Sequence, residues 1–243
     1  KTIGFQHAFI GRSSFKYFLG EDEYKIVPKP TRILTLGHVT ARILTSKGWD
    51  ESLIKVGCAL RQAKTFVGNA VVYGESKKVL VIFPMMFDES VAILNFINEA
   101  GLKDYSDQII LRFHPQTPLE QVLGALSFDL PKNFIISKDS LRRDFEKSGI
   151  VLYTVSTVGA EALAVGLPVV YLDLNLMHNL DPLYEWEQLK GSVHQPKDLK
   201  GRINHLLNFD QEQYQRQYEL SREYLKEYFY PVTETCFNLF TET

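Results

Sequence analysis

The stretch IVLYTVSTVGAEALAVGLPVVYLD, Ile150 to Asp173, leaves a chain few folds to choose from. Ile150–Tyr153 is a short apolar run rich in β-branched and aromatic side chains, as a strand buried on both faces of a parallel sheet must be. Ser156 and Thr157 follow, and either hydroxyl can cap a helix start. Ala160–Val165 is helical in composition and Gly166 is a plausible stop. Pro168 cannot continue that helix, so the chain turns into Val169–Leu172, a second buried strand. Two parallel strands joined by a helix need helices on the faces of their sheet.

The same alternation begins earlier. Val79–Phe83 reads as a strand, followed by a helix from Asp88 or Ser90 in which Val91, Leu94 and Ile97 share a face. Gln108–Phe113 is the next strand, with a helix from Thr117 or Pro118 through Leu126. Asn133–Ile136 is another, with a polar helical link from Ser137 to Lys147. The fold class is therefore α/β: a Rossmann-like parallel sheet flanked by helices, spanning 71–243 with its C-terminal helices. Residues 1–70 hold a partial second α/β unit, with strands at Thr2–Phe5, Ile33–Leu36 and Leu53–Val56, a helix ended by Gly48, and a charged loop before Pro28 and Pro30. Gly68, Asn69 and Gly74 punctuate the connection between the two. After Asp173 the chain reads as a loop (LNLMHNLDP) through Trp186. Helices follow at about Lys197–Leu207 and Gln211–Phe229, and Pro231 precedes a last helical segment. Residues 231–241 are expected to pack either on their own domain or back on the N-terminal segment.

Composition narrows the function. The chain is 45% hydrophobic and 23% charged over 243 residues, with a net charge of −2, so no basic surface argues for nucleic acid. Cys58 and Cys236 are far apart in sequence and suggest neither a zinc site nor a disulfide framework. No apolar run approaches the roughly 20 residues needed to span a bilayer. The chain starts at Lys1, almost inside a strand, which suggests an upstream region.

In open α/β sheets, ligands bind at the carboxyl ends of strands. Ser156 and Thr157 stand there, where a helix start favours an anion, phosphate above all. Gly159 would let a bulky ligand approach, and Glu161, one turn on, could accept hydrogen bonds from a sugar diol. His114-Pro115 ends another strand. Proline fixes the backbone after the imidazole, and Arg112 lies two residues back on the same strand face. His114 can donate to a phosphate oxygen or protonate a leaving phosphate. His7, past the first strand and near Gly11, could line a cleft. His38, after Gly37, is a weaker candidate.

RFHPQTP followed some forty residues later by STVGAEALAVGLPVVYLD resembles the C-terminal nucleotide-binding half of GT-B glycosyltransferases. More narrowly, it is similar to bacterial sialyl-, polysialyl- and Kdo-transferases and teichoic-acid polymerases. The resemblance covers about residues 79–235. It implies that His114-Pro115 and Ser156-Thr157 hold a cytidine nucleotide, in preference to uridine, that Glu161 binds ribose hydroxyls, and that the base lies near Ser137 and Lys138. Gln6-His7 loosely matches a motif of the other half, which makes His7 a candidate base. The implied function is metal-independent transfer of a sugar from a nucleotide-sugar donor to a surface-polysaccharide or glycan acceptor, with no cofactor beyond that substrate. The implied place is the cytoplasm, with room for peripheral attachment at the inner face of the membrane. Two alternatives remain open: a sugar-nucleotide 2-epimerase, and a non-catalytic nucleotide-sugar-binding module.

Overall fold

The computed structural model describes residues 2–63, 70–174 and 179–241. Gly68 and Asn69, expected to punctuate the connection, and Asn175–His178 of the expected loop lie outside the described residues. The chain divides into two compact units, one formed by Lys1–Gly68 with Arg222–Thr243 and the other by Asn69–Ser221. The sequence reading divides the chain at residue 70 and keeps 71–243 together. In the structure the C-terminal segment groups with the first unit.

The first unit is built on three parallel strands, β1 (Ile3–Gln6), β2 (Arg32–Thr35) and β3 (Ile54–Val56), in that order. Between β1 and β2 lies α1 (Glu21–Ile26), where the sequence suggests a charged loop. Its charges are what hold it: Glu21, Asp22 and Glu23 fill the first turn, and the Glu23 carboxylate accepts the Gly20 N–H at 2.8 Å. Helix α2 (His38–Ser46) follows β2 and buries Val39, Ile43 and Leu44.

The C-terminal segment completes this unit. The Tyr230 N–H donates to the Leu36 carbonyl at 3.0 Å, and the Ala59 N–H donates to the Tyr230 carbonyl at 2.9 Å. In α9 (Glu234–Thr241), Phe240 meets Phe5 edge-on with ring centroids 5.0 Å apart. Residues 231–241 therefore pack on the N-terminal segment, the second of the two expected outcomes. A Cβ on Gly37 would stand 2.3 Å from the Glu227 carbonyl oxygen, so only glycine lets the chain ends approach this closely.

The second unit carries six parallel strands: β4 (Val79–Ile82), β5 (Ile109–Arg112), β6 (Phe134–Ile136), β7 (Ile150–Tyr153), β8 (Val169–Leu172) and β9 (Lys190–Val193). Their order is β6-β5-β4-β7-β8-β9. The sheet grows from β4 outward to β6, then resumes on the other side of β4 with β7. Helices α3 (Phe87–Glu99), α4 (Leu119–Gly124), α5 (Leu141–Lys147), α6 (Val158–Ala164) and α7 (Pro196–Leu207) connect or follow the strands. Val79, Val81, Ile109, Leu111, Ile150 and Leu152 pack with Ile93, Leu94 and Ile97 of α3 and Leu199 and Ile203 of α7 in one core. The sequence reading missed β9. Lys190-Gly191-Ser192-Val193 has no apolar run, and it is a strand because the β8 edge offers a register from Val169↔Lys190 to Leu172↔Val193.

The long helix α8 (Gln211–Tyr228) begins in the second unit. There Tyr214 stacks on Tyr73 at 4.0 Å and donates its hydroxyl to the Gly166 carbonyl at 2.9 Å, which secures the turn between α6 and β8. Burial raises the Tyr214 phenol far above its ordinary value, so it stays a donor.

Candidate functional site

The sheet order creates a switch point between β4 and β7, where consecutive connections leave in opposite directions, and parallel α/β sheets take their ligands at the carboxyl ends beside such a point. The expected site residues of the second unit lie at or beyond the ends of strands on this edge, Arg112 as the last residue of β5 and Gly159 and Glu161 in α6. His114 and Pro115 follow β5, Ser137 and Lys138 follow β6, and Ser156 and Thr157 follow β7. His114 and Ser156 thus share one edge with only β4 between their strands, roughly 10 Å by the spacing of two strand positions.

His114-Pro115-Gln116-Thr117 is a turn with proline at its second position, closed by the Thr117 N–H on the His114 carbonyl at 2.9 Å. The Thr117 hydroxyl donates to the Pro84 carbonyl at 3.1 Å, and Phe113 stacks on Phe83 at 4.1 Å, so the turn is fastened to the end of β4. The imidazole itself is exposed. Its Nδ1 accepts the Gln116 N–H at 3.2 Å, which assigns the proton to Nε2 and makes that atom a donor.

Around Ser156 the roles differ from the simplest expectation. The Ser156 hydroxyl accepts the Val158 N–H at 3.1 Å and so fixes the short turn that leads into α6. Thr157 makes no side-chain cap; its hydroxyl donates to Glu161 Oε1 at 3.4 Å. Thr157 and Glu161 therefore form one polar group on the first turn. Gly159 does not open the turn to a ligand. It is buried, and a Cβ there would lie 2.9 Å from three atoms of the Tyr153 ring. Glycine at this place lets α6 settle on β7. Tyr153 in turn donates its hydroxyl to Asp181 at 2.8 Å, and Asp181 pairs with the buried Lys190 at 2.6 Å. This closed network sets the floor beneath the turn.

Arg112 and Ser137 come together, but on a protein partner. Arg112 Nη1 donates to Asp144 and to the Asp139 carbonyl, both at 2.7 Å, and the Ser137 hydroxyl donates to Asp144 at 2.7 Å. Asp144 is almost wholly buried, so these donors satisfy a charge inside the seam between β5, β6 and α5. Lys138 is exposed on the same strand end.

His7 belongs to the first unit. It is exposed just past β1, its ring 6.1 Å from that of Phe5. Its neighbour Gln6 is buried and structural: Oε1 accepts the Leu36 N–H at 3.2 Å, and Nε2 donates to the Ala8 carbonyl. His38 meets Tyr230 edge-on at 5.0 Å.

Three features of the carboxyl edge are absent from the sequence reading. Thr154, directly after β7, is buried with an unpartnered hydroxyl, and Glu89, in the first turn of α3, has a buried Oε1 in the same condition among the described residues. Burial pushes the Glu89 carboxyl above the ordinary glutamate range, an effect the Thr154 hydroxyl beside it only partly offsets. Beyond them, His194 Nδ1 lies 3.1 Å from Asp173, joining the ends of β8 and β9. Among the described residues, no three His, Cys, Asp or Glu side chains are grouped to hold a metal ion, and no helix is long and apolar enough to cross a membrane.

No family model matches this sequence, and no curated protein matches it. Solved structures match its fold. A variant of S. aureus TarM, in complex with Fondaparinux, alpha-GlcNAc-glycerol and UDP, aligns at a TM-score of 0.61 and 12% identity over 98% of this chain and 50% of its own. Anabaena HepE in complex with UDP-glucose aligns at 0.56 and 13% identity over 99% of this chain and 72% of its own. What is shared is the fold, parallel α/β sheets flanked by helices. A UDP-GlcNAc 2-epimerase from Methanocaldococcus jannaschii, in complex with UDP-GlcNAc and UDP, aligns at 0.55 and 16% identity over 74% of this chain and 55% of its own. At these identities the likeness concerns the fold, and the chain spans about half the length of TarM.

Proposed function

We propose that this chain is the nucleotide-binding part of a glycosyltransferase that moves a sugar from a nucleotide-sugar to a glycan acceptor. The observation that supports this reading is the shared edge. A proton-bearing imidazole at His114 and the Ser156-Thr157-Glu161 turn flank one switch point in a GT-B fold.

In this reading the phosphate is received at Ser156 and Thr157, the ribose diol by Glu161, and the base against the backbone at Ser137 and Lys138. The acceptor hydroxyl attacks the anomeric carbon, and the bond from that carbon to the phosphate oxygen breaks. The electron pair stays on the departing phosphate, where His114 Nε2–H stabilises it. The acceptor proton passes to a base, for which His7 is the candidate in the first unit. No metal is required for these roles. This reading places the work in the cytoplasm, with room for peripheral attachment at the inner face of the membrane.

The motif pair supports a cytidine nucleotide, whereas the nucleotides named with the matched structures are uridine ones. Calorimetry with CMP, CDP and UDP decides between them. Binding of none would favour a structural module. Release of free nucleotide from a bound nucleotide-sugar only when a glycan acceptor is present is the expected sign of transfer. Turnover of a free UDP-sugar without acceptor would instead identify an epimerase. Turnover in excess EDTA tests the metal-independent part.

A further inference from the structure

Buried polar atoms are nearly always hydrogen-bonded, so each one that is not requires an explanation. Two stand together at the switch point: Thr154 Oγ1 at the end of β7 and Glu89 Oε1 at the start of α3, the helix that follows β4. The Thr154 side chain is buried and its hydroxyl is close enough to the Glu89 carboxyl to favour the ionised form, yet among the described residues neither Thr154 Oγ1 nor Glu89 Oε1 has a partner in full hydrogen-bonding geometry. Among the described residues, neither makes a helix cap or an ion pair. The neighbouring polar groups are already committed: Tyr153 to Asp181, Asp181 to Lys190, Ser90 to the Pro84 carbonyl and Ser156 to Val158.

The chemistry of the pair restricts what can complete it. An ionised carboxylate only accepts, so its partner must donate. A threonine hydroxyl both donates and accepts. A phosphate oxygen only accepts, and it would place a second negative charge beside Glu89. A pyrimidine offers a planar edge rather than adjacent hydroxyls. Two neighbouring hydroxyls of a sugar ring satisfy both atoms, one donating to Glu89 and the other exchanging a bond with Thr154.

We propose that Glu89 and Thr154 bind hydroxyls of the transferred sugar, and that the sugar they select is neutral. This deepens the nucleotide-sugar reading above and rests on it. Ser156 and Thr157 lie two and three residues beyond Thr154, so a phosphate held there leaves its sugar within reach of the β4–β7 gap. Sialic acid and Kdo carry a carboxylate that Glu89 repels, so the pair argues for a neutral hexose within the family resemblance.

The test is calorimetry on the full chain with UDP, CMP, UDP-glucose, UDP-GlcNAc and CMP-N-acetylneuraminate, using wild type, Glu89→Gln and Thr154→Val. Both substitutions are close in shape to the originals, and thermal unfolding checks that each variant folds. A neutral-sugar nucleotide is expected to bind at least about tenfold more tightly than its free nucleotide. Each substitution should reduce that gain to within about threefold, while affinity for the free nucleotide stays unchanged. A gain that survives both substitutions, no gain from any sugar, or a gain shown by the N-acetylneuraminate donor alone overturns the inference and leaves the nucleotide reading standing. Failure of every nucleotide to bind overturns the nucleotide reading and the inference with it.

Discussion

Arg112 Nη1 and the Asp144 carboxylate stand 2.7 Å apart, the arginine partly exposed and the aspartate only 1% exposed. The pair ties β5 to α5, and Ser137 joins it through its hydroxyl. An arginine beside a candidate ligand site invites a phosphate-binding role, yet here its charge is already answered. Arg112→Ala is therefore expected to leave a buried carboxylate underpaired and to destabilise the second unit, towards the lower end of roughly 3–5 kcal/mol. Denaturant midpoints measure this. Nucleotide affinity of the folded variant should stay within about threefold of wild type. A large loss of affinity at unchanged stability would return Arg112 to the ligand.

His114 should behave in the opposite way. Its ring is exposed, and the bond it accepts from the Gln116 N–H is local to the turn. His114→Ala is expected to change the unfolding midpoint little. If Nε2–H meets the bound phosphate, affinity falls at least about tenfold. If it acts on the departing phosphate alone, binding survives and turnover drops. Wild-type affinity together with a wild-type transfer rate would remove His114 from the site.

Ser156 and Thr157 should separate in a stability assay. The Ser156 hydroxyl holds the Val158 N–H in the turn before α6, so Ser156→Ala is expected to cost about 1 kcal/mol, the net worth of one hydrogen bond. Thr157 makes no cap, so Thr157→Ala should cost less while weakening nucleotide binding, because its hydroxyl and Glu161 act together. Paired thermal melts with and without nucleotide distinguish the two. Equal stability losses would contradict the division of roles.

Glu89 gives a pH signature. Its carboxyl is held above the ordinary range by burial, so the native state keeps this proton to a higher pH than the unfolded state does. Where the native state binds more protons, stability falls as pH rises. The fall begins at the ordinary carboxyl value and is complete above the raised one. Glu89→Gln should flatten that part of the stability profile in buffers of constant ionic strength. An identical slope in both proteins would count against the buried carboxyl.

The cysteines offer a check on the first unit. Cys58 and Cys236 are both free and buried, and burial, with Cys236 nearby, raises the Cys58 thiol. Native protein should react slowly with a thiol reagent at mildly alkaline pH, and fully once unfolded. Rapid labelling of native Cys58 would show that the segment after β3 opens easily.

The βα alternation was legible in the sequence because strands buried on both faces are written as unbroken apolar runs, as in Val79–Ile82 and Ile150–Tyr153. The His-Pro turn was legible because proline fixes a local shape. Helix α1 was hidden by its charges, although Glu23 makes them a cap. Strand β9 was hidden because its neighbour, not its composition, makes it a strand. Glu89 and Thr154 could not be paired from sequence, since only the strand order brings the start of α3 beside the end of β7. The task of Arg112 depends on Asp144, 32 residues on, and so was equally out of view. Gly159 shows the same limit: a glycine after Ser-Thr looks like an opening, and only the position of Tyr153 shows that the protein itself fills it.

The three strands of the first unit and the segment that completes them stand at opposite ends of this sequence, with the whole six-stranded sheet between them. During synthesis at about 5–20 residues per second, the N-terminal strands wait on the order of 10–30 s before Phe229, Tyr230 and α9 emerge. The second unit is continuous, so it can close while the first still shows its apolar surface. An early-made segment that must stay unpaired is one on which chaperones act and from which aggregation starts. The contact of Gly37 with the end of α8 thus has to wait until the whole six-stranded sheet has been made.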